Sequence, residues 1–328
     1  MREKAALVCG AGGFIGSHLV ERLKREGYWV RGADWKYPEV RPTVADDFIL
    51  GDLSDQAVVQ KLFDRTFDEV YQLAADMGGI GFISANHADV AQNNVRINVN
   101  TLEAARACGV KRLLYTSSAC VYPTTNQRHT AAVPLREETA WPACPEEGYG
   151  LEKLFAEKLC EYYRRDHGLA ATVVRLHNIY GPLGTWTGGR EKAPAALCRK
   201  IAEAQADGDE GTIELWGDGQ QTRSFCYVDD CVEGLVRLMA SEHPGPVNLG
   251  TEELVTIKEV VDMIKDISGK CPSVRFDLTK PQGVRGRNSD NSLLRSILGG
   301  WEPRTTLREG LAKTYPWIAE QVARGLAC

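Results

Sequence analysis

A tyrosine and a lysine four residues apart form a pair that could transfer protons. Tyr149 and Lys153 lie in the segment Tyr149-Gly-Leu-Glu-Lys153, and a spacing of four places two side chains on one face of a helix. A free phenol has a pKa of about 10 and is a poor base at neutral pH. A neighbouring cation lowers that pKa and lets the oxygen take an alcohol proton. The alternative interpretation is an ordinary surface contact between the two side chains.

Ser118 is a second candidate for handling an alcohol. It directly follows the strand-like run Leu113–Ser117, in the string Thr116-Ser-Ser-Ala-Cys120. In open α/β sheets, ligands bind at the carboxyl ends of the strands. We therefore expect the Ser118 hydroxyl to orient a substrate alcohol beside Tyr149.

A glycine-rich loop between the first predicted strand and the first predicted helix is suited to a pyrophosphate. Glycines permit a tight turn there and let backbone N–H groups and the helix dipole face the phosphates. A simple helix-entry turn is the alternative. The cofactor-binding candidates of the string Gly10-Ala-Gly-Gly13-Phe-Ile-Gly16 are Gly10, Gly13, Phe14, Ile15 and Gly16.

Two aspartates follow the next two predicted strands. Asp34 comes 18 residues after Gly16, and its carboxylate can accept hydrogen bonds from both adenosine ribose hydroxyls while repelling a 2′-phosphate. The pattern therefore favours NAD over NADP as the cofactor. Asp52, in Gly51-Asp52-Leu53, is suited to the adenine amino group, with a helix N-cap as the alternative.

The composition is that of an ordinary soluble globular protein. The chain has 328 residues, of which 43% are hydrophobic and 25% charged, enough for one large domain or a domain with a smaller lobe. A net charge of −5 without a run of like charges disfavours a nucleic-acid surface. Ten cysteines with no CxxC pair and no secretory leader predict reduced thiols. No window approaches a membrane span, and we expect a cytoplasmic protein.

Short strand-like runs alternate with helical patterns in the first half of the chain. Such alternation predicts right-handed βαβ crossovers and an α/β fold with a doubly wound parallel sheet of the Rossmann type. The predicted strands are Ala5–Cys9, Trp29–Asp34, Phe48–Gly51, Val70–Leu73, Leu113–Ser117 and Thr172–Leu176. The predicted helices are Phe14–Arg25, Gln56–Phe63, Val90–Ala107 and Leu151–His167.

The composition changes after Leu176, which indicates a second lobe. A Gly-, Pro- and Trp-rich segment is followed by a predicted helix, Ala193–Ala206, and by an acidic stretch, Asp207–Glu210, expected as a surface loop. Ser224–Met239 and Val247–Gly250 then predict a return to the sheet. We expect an NAD-binding domain of residues 1–176 and 222–253, and a smaller, discontinuous substrate domain of residues 177–221 and 254–328.

The motifs together resemble those of the extended short-chain dehydrogenase/reductase family, over most of the chain. Longer strings narrow the resemblance to the GDP-mannose 3,5-epimerases of its sugar-nucleotide branch. These strings are Ala75–Phe82, Ser117–Pro123, Gly184–Pro194, Trp216–Ser224 and Gly283–Asp290. The resemblance implies an isomerase that converts GDP-D-mannose to GDP-L-galactose, with GDP-L-gulose from inversion at C5 alone, and it implies a homodimer.

The implied chemistry is a redox-neutral inversion of hexose carbons C3 and C5. Oxidation at C4 by NAD makes both neighbouring C–H bonds acidic, protons exchange at those carbons, and the same hydride returns. Inversion needs an acid and a base on opposite faces. The resemblance assigns the base to Cys120 and the acid to Lys192. The alternatives are a buried small hydrophobic residue for Cys120 and a solvated lysine at a helix start for Lys192.

Further substrate contacts are implied in the loops between the two lobes. Arg223 and Arg287 are the best candidates for bidentate phosphate contacts, with Lys200 close behind, whereas a surface position is the alternative for Arg285. The other implied substrate-binding residues are Gly78, Ser118, Ala119, Cys120, Asn178, Glu191, Lys192, Ala193, Gln221 and Thr222.

Two other functions remain open from the sequence. A 4-epimerase of another sugar nucleotide would need Tyr149 and Lys153 but neither Cys120 nor Lys192, because inversion at C4 requires only that the ketone rotate. A non-catalytic NAD-sensing regulator on the same fold could dispense with Tyr149 and Lys153. The presence of both residues together with Ser118 and Cys120 disfavours the regulator.

Overall fold

A seven-stranded parallel sheet forms the centre of the protein. The computed structural model describes residues 3–131, 133–204, 211–280 and 283–325. The strands, in chain order, are β1 (Ala5–Cys9), β2 (Trp29–Asp34), β3 (Asp47–Leu50), β4 (Glu69–Gln72), β5 (Arg112–Ser118), β6 (Ala171–Leu176), β7 (Ile179–Tyr180), β8 (Thr212–Trp216), β9 (Thr222–Arg223), β10 (Cys226–Tyr227), β11 (Val247–Leu249), β12 (Val255–Thr256), β13 (Ser273–Asp277) and β14 (Gly286–Arg287). The order in the central sheet is β11-β6-β5-β4-β1-β2-β3.

Helices cover both faces of this sheet, which is why its strands are short, almost continuously apolar runs. In β1, Ala6 and Val8 belong to one hydrophobic core, whereas Ala5, Leu7 and Cys9 belong to the other. The helices, in chain order, are α1 (Phe14–Arg25), α2 (Gln56–Leu62), α3 (Ile80–Ile83), α4 (His87–Ala107), α5 (Tyr149–His167), α6 (Ala193–Glu203), α7 (Val228–Ser241), α8 (Ile257–Ser268), α9 (Ser292–Ile297) and α10 (Leu307–Ala323).

The later part of the chain builds a smaller structure from short strand pairs and three packed helices. β8 pairs with β13, and β9 lies between β12 and β14. Helices α6, α8 and α10 pack together through buried residues such as Leu197, Val260 and Leu311. None of the helices in the described part of the chain is both long and apolar enough to cross a membrane.

The predicted doubly wound α/β fold is confirmed, and β1, β2 and α1 have the predicted bounds. The chain returns to the sheet as predicted, because β11 pairs in parallel with β6. α5 begins at Tyr149, two residues before the predicted start, after Gly148 with a φ of +62°. The predicted end of α6 at Ala206 and the acidic stretch Asp207–Glu210 lie outside the described residues. The domain boundaries stay a prediction.

A buried ion pair fixes α5 to the end of the sheet that carries Ser118. Arg175 in β6 is 1% exposed, and its Nε and Nη2 atoms donate to the two carboxylate oxygens of Glu157 in α5 at 2.9 and 2.7 Å. Its Nη1 atom donates to the Tyr122 hydroxyl at 3.1 Å. The Ser117 hydroxyl in β5 donates to Glu157 at 2.5 Å. The pair therefore joins β5, β6 and α5.

Arg175→Met should lower the free energy of unfolding by about 3–5 kcal/mol, because it leaves the Glu157 carboxylate buried without its cation. The double variant Arg175→Met, Glu157→Met should recover much of that loss, since it removes the uncompensated charge. Urea denaturation of the three proteins followed by circular dichroism measures both effects. A single variant as stable as the unmodified protein would contradict this account of the pair.

Candidate active site

Tyr149 and Ser118 meet where β5 ends and α5 begins. Ser118 lowers the pKa of the nearby Tyr149 phenol, and its hydroxyl accepts a hydrogen bond from the backbone N–H of Cys120 at 3.2 Å. Their positions at a strand end and a helix start predict that these residues lie together. The structure brings all three into contact.

Lys153 lies one helical turn after Tyr149, beneath the same strand end. Its Nζ atom donates to the carbonyl of Thr116 at 3.1 Å and lies 5.6 Å from the centre of the Tyr149 ring. The side chain is almost fully buried. The predicted placement of tyrosine and lysine on one helix face is confirmed.

Burial dominates the ionisation of this pair. It raises the pKa of Tyr149 well above the usual value, and Cys120 and Glu152 raise it further, while Ser118 lowers it. Burial also lowers the pKa of Lys153, against the effect of Glu152. Burial therefore opposes the lowering of the Tyr149 pKa that the Lys153 cation is expected to cause, and that expectation stays a prediction.

Cys120 lies in a short 3₁₀ turn, Ala119–Val121, directly after β5. Its Sγ atom lies 3.7 Å from Nη1 of Arg287, and its backbone carbonyl accepts a hydrogen bond from the N–H of Glu146 at 3.1 Å. Burial raises the pKa of the Cys120 thiol and Glu146 raises it further, whereas Arg287 lowers it. The net shift is upward, so the sulfur is a thiol at neutral pH.

Lys192 and Glu191 come from the segment that leads into α6. Burial lowers the pKa of Lys192, whereas negative charge on the Cys120 sulfur raises it. Glu191 pairs with Arg199 at 3.1 Å. Its Oε2 atom is buried without a partner within the described ranges. Because buried acceptors are normally satisfied, this oxygen is suited to a sugar hydroxyl.

The segment before α6 is fastened to the loop that follows β4. The backbone N–H of Gly79 donates to the carbonyl of Arg190 at 3.1 Å. Arg190 also donates to Asp76 at 2.8 Å, and its guanidinium lies 3.7 Å from the centre of the Phe82 ring. A Cβ atom on Gly79 would lie 2.8 Å from the carbonyl oxygen of Glu191, so only glycine permits this approach.

The two arginines of Gly283–Arg287 are both engaged with side chains. Arg287 is 6% exposed and donates through Nε to the Gln127 side-chain oxygen at 2.5 Å and through Nη2 to the Glu146 carboxylate. Arg285 forms a bidentate pair with Asp218 at 2.9 and 3.0 Å. The Arg287 guanidinium therefore faces Cys120 while it is already paired with the Glu146 carboxylate.

Arg223 and Lys200 donate instead to backbone carbonyls. Arg223 bonds to the carbonyls of Thr222 and Val284 at 2.8 and 2.7 Å, and burial, reinforced by Arg287, lowers the pKa of Arg223 to about 10. Lys200 bonds to the carbonyl of Glu214 at 2.7 Å. A guanidinium that is bonded to neutral carbonyls would form stronger hydrogen bonds with a charged phosphate.

Asn178 and Gln221 each have a feature suited to a ligand-binding residue. Asn178 has a φ of +46° and donates to the carbonyl of Ser224 at 2.9 Å, which joins the segment before β7 to the segment after β9. The side-chain oxygen of Gln221 is buried and has no partner in the described part of the chain. The other predicted substrate-binding residues lie as follows: Gly78 in the loop after β4, Ala119 beside Cys120, Ala193 at the start of α6 and Thr222 at the start of β9.

The glycine loop has the shape that a dinucleotide needs. Gly10 has a φ of +84°, and a Cβ atom on Gly16 would lie 2.0 Å from the carbonyl oxygen of Gly10. A Cβ atom on Gly13 would lie 3.3 Å from the same oxygen. α1 begins at Phe14 without a capping side chain, so Phe14, Ile15 and Gly16 offer backbone N–H groups to an anion. A groove between Gly12–Phe14 and Leu183–Trp186 adjoins the loop.

Asp34 is held at the end of β2 by backbone N–H groups. Its carboxylate accepts hydrogen bonds from Gly12 at 3.0 Å and Lys36 at 3.2 Å. Burial raises the pKa of Asp34 above its usual value, although both hydrogen bonds lower it. Asp52 is exposed, and α2 is capped by Asp55, so the N-cap alternative for Asp52 is wrong.

Comparison with known proteins agrees with this geometry. Residues 6–250 match the model of the NAD dependent epimerase/dehydratase family. The chain belongs to this family. NAD is therefore its cofactor, and the glycine loop and Asp34 fit that molecule.

Two curated plant relatives align over nearly the whole chain. GDP-mannose 3,5-epimerase of Arabidopsis thaliana is 49% identical over 319 residues, which are 97% of this chain and 82% of that protein. GDP-L-fucose synthase 1 of Arabidopsis thaliana is 33% identical over 333 residues, 98% of this chain and 96% of that protein. The higher identity is to the epimerase.

Solved structures of epimerases share the fold. UDP-glucose 4-epimerase of Thermotoga maritima, with UDP-glucose, has a TM-score of 0.82 at 26% identity and covers 97% of this chain and 99% of its own. UDP-glucose 4-epimerase of Thermus thermophilus, in complex with NAD, has a TM-score of 0.83 at 25% identity and covers 98% of this chain and 100% of its own.

Four residues of the site were not singled out from the sequence. Glu146 and Gln127 hold Arg287, and Asp76 and Arg190 join the loop after β4 to the segment before α6. Glu146 stands three residues before Tyr149 and next to Glu147, so only its position close to the tyrosine could have marked it.

Asp34→Asn should weaken NAD binding at least about tenfold and improve NADP binding, because the amide no longer repels a 2′-phosphate and accepts fewer hydrogen bonds from the ribose. Fluorescence titration of the cofactor-depleted protein with each dinucleotide measures both affinities. Asp262→Asn, an exposed aspartate of α8, is the matched control. Unchanged discrimination in Asp34→Asn would contradict the role of Asp34.

Proposed function

We propose that this chain is a GDP-mannose 3,5-epimerase that converts GDP-D-mannose to GDP-L-galactose and GDP-L-gulose. The observation that carries the proposal is the place of Cys120. Its thiol lies two residues after Ser118. Negative charge on its sulfur raises the pKa values of both Tyr149 and Lys192. The 49% identity to the Arabidopsis GDP-mannose 3,5-epimerase supports the choice of substrate.

Each reacting proton has a side chain assigned to it. NAD, when bound, supplies the reversible oxidation of the C4 hydroxyl to a ketone. Tyr149, in its phenolate form, takes the proton of that hydroxyl, Ser118 orients the hydroxyl, and the ammonium of Lys153 stabilises the phenolate. Cys120, once its thiol has lost its own proton, removes a proton from a carbon next to the ketone, and the ammonium of Lys192 gives a proton from the opposite face of the sugar.

The residues that would hold the substrate are those of the loops around this centre. Arg223, Arg287 and Lys200 bind the diphosphate, and the buried free oxygens of Glu191 and Gln221 accept hydrogen bonds from hydroxyl or amino groups of the substrate. A 4-epimerase of another sugar nucleotide does not need an acid and a base at C3 and C5, the two carbons next to C4. The Cys120 thiol and the Lys192 ammonium favour the 3,5-epimerase.

Incubation of GDP-mannose with the purified protein in D₂O should place deuterium at C3 and C5 and yield GDP-L-galactose, as followed by proton NMR. Cys120→Ala should slow this exchange at least about a hundredfold, because a general base typically contributes that much. The amount of NAD bound to the variant, read from its absorbance after denaturation, should not change.

Cys271→Ala is the matched control, because Cys271 is exposed and belongs to the segment between α8 and β13. Full activity of Cys120→Ala would reject the assignment of the base and favour the 4-epimerase. No reaction with GDP-mannose even after NAD is supplied would reject the substrate, and a protein that binds NAD but turns over no sugar nucleotide would be the regulator.

We also propose that the protein is a cytoplasmic homodimer that pairs through α4 and α5. These two helices pack side by side and carry exposed apolar side chains at Val99, Leu151, Phe155 and Tyr162. Exposed apolar groups that cluster on neighbouring helices are typical of a contact surface. The cytoplasmic location rests on the composition.

Leu151→Glu combined with Phe155→Glu should convert the dimer to a monomer, because two buried carboxylates would face the partner without cations. Sedimentation velocity at micromolar concentration measures the change. Leu278→Glu, which alters a residue that is 64% exposed outside these helices, should leave the sedimentation coefficient unchanged. A double variant that still sediments as a dimer would move the interface elsewhere.

A further inference from the structure

Glu146 is held against Cys120 by the backbone. Its N–H donates to the carbonyl of Cys120 at 3.1 Å, and its own carbonyl accepts from Leu151 at 3.1 Å. A Cβ atom on Gly150 would lie 2.4 Å from the Cys120 carbonyl oxygen and 3.2 Å from Cβ of Glu146. The start of α5 and the turn that carries Cys120 are therefore in close contact, and the Glu146 side chain begins beside the sulfur.

Three side chains form a closed cluster at this point. Arg287 donates through Nη2 to the Glu146 carboxylate, and its Nη1 atom lies 3.7 Å from Sγ of Cys120. The same guanidinium therefore lies against both the Glu146 carboxylate and the Cys120 sulfur. Gln127 holds the third nitrogen of the guanidinium at 2.5 Å. The arginine cannot turn away from the sulfur without breaking the other bonds.

The charges around Cys120 come from several elements. Glu146, before α5, is the carboxylate that raises the pKa of the thiol. The cations are Arg287 of β14, Arg223 of β9, Lys192 before α6 and Lys153 of α5. The Tyr149 phenol completes the set. Burial would raise the pKa of Glu146, but Arg287 lowers it below its usual value, so Glu146 stays charged.

We propose that Glu146 is a positioning residue that sets the proton affinity of the Cys120 sulfur by neutralising Arg287, whose guanidinium contacts both groups. This inference rests on the proposed function only for the use made of the proton. A thiol beside an uncompensated guanidinium would ionise readily and give a weakly basic thiolate. With Glu146 in place, less of the sulfur is ionised, and the thiolate that does form is a stronger base towards the proton of a sugar carbon.

Glu146→Gln should lower the pH midpoint of Cys120 alkylation by about one to three units, because the variant keeps an acceptor for Arg287 but removes the negative charge. The NAD-bound protein, without any sugar, is treated with iodoacetamide across a pH series, and mass spectrometry of the Cys120 peptide gives the rate. Glu146→Asp, which withdraws the carboxylate by one methylene, should shift the midpoint less. It also serves as the test if Glu146→Gln does not fold.

Glu147→Gln is the matched control, because it makes the same change at the neighbouring residue and should leave the midpoint in place. A midpoint in folded Glu146→Gln that coincides with that of the unmodified protein would overturn the inference, as would an upward shift. Failure of GDP-mannose to react would reject the proposed function alone, since the alkylation needs no substrate. If GDP-mannose does react, the midpoint of the pH profile for deuterium exchange at C5 should move down in Glu146→Gln with the alkylation midpoint.

Discussion

The buried pair of Arg175 and Glu157 is the contact on which the arrangement of the active site depends. The two charges have left water at a cost of several kcal/mol each, and only their close pairing and the hydrogen bonds around them offset it. Because Glu157 lies on α5 one turn after Lys153 and Arg175 lies in β6, the pair sets how far the helix sits from the strand ends. Ser117, which shares the carboxylate, adds β5 to the same contact.

Much of the fold could be predicted from the sequence because the relevant signals are local. The apolar runs of β1 and β2 and the glycine loop between them are readable within a short stretch of chain, and the spacing of Tyr149 and Lys153 determines their shared face. Interactions between distant segments were not readable. Glu146 and Arg287 are 141 positions apart, and no spacing rule connects a carboxylate of one lobe with a guanidinium of the other.

The same distinction applies to the pKa of Tyr149. A neighbouring lysine can be counted from the sequence, but the loss of water around both side chains depends on how the whole site closes over them. The phosphate-binding candidates divide in the same way. Arg287 and Arg285 are already paired with carboxylates, whereas Arg223 is bonded to carbonyls. Nothing in the sequence around these three arginines distinguishes the two environments.

The groove beside the glycine loop has one wall from Gly12–Phe14 and another from Leu183–Trp186. A molecule bound between these walls binds the folded chain and not the unfolded one, and so stabilises it by an amount that grows with the logarithm of its concentration. Resistance of the protein to heat and to proteases is thereby coupled to the supply of NAD. In a cell with little NAD, less of the protein would be folded. Its total activity would then fall although the catalytic residues of each folded molecule were unchanged.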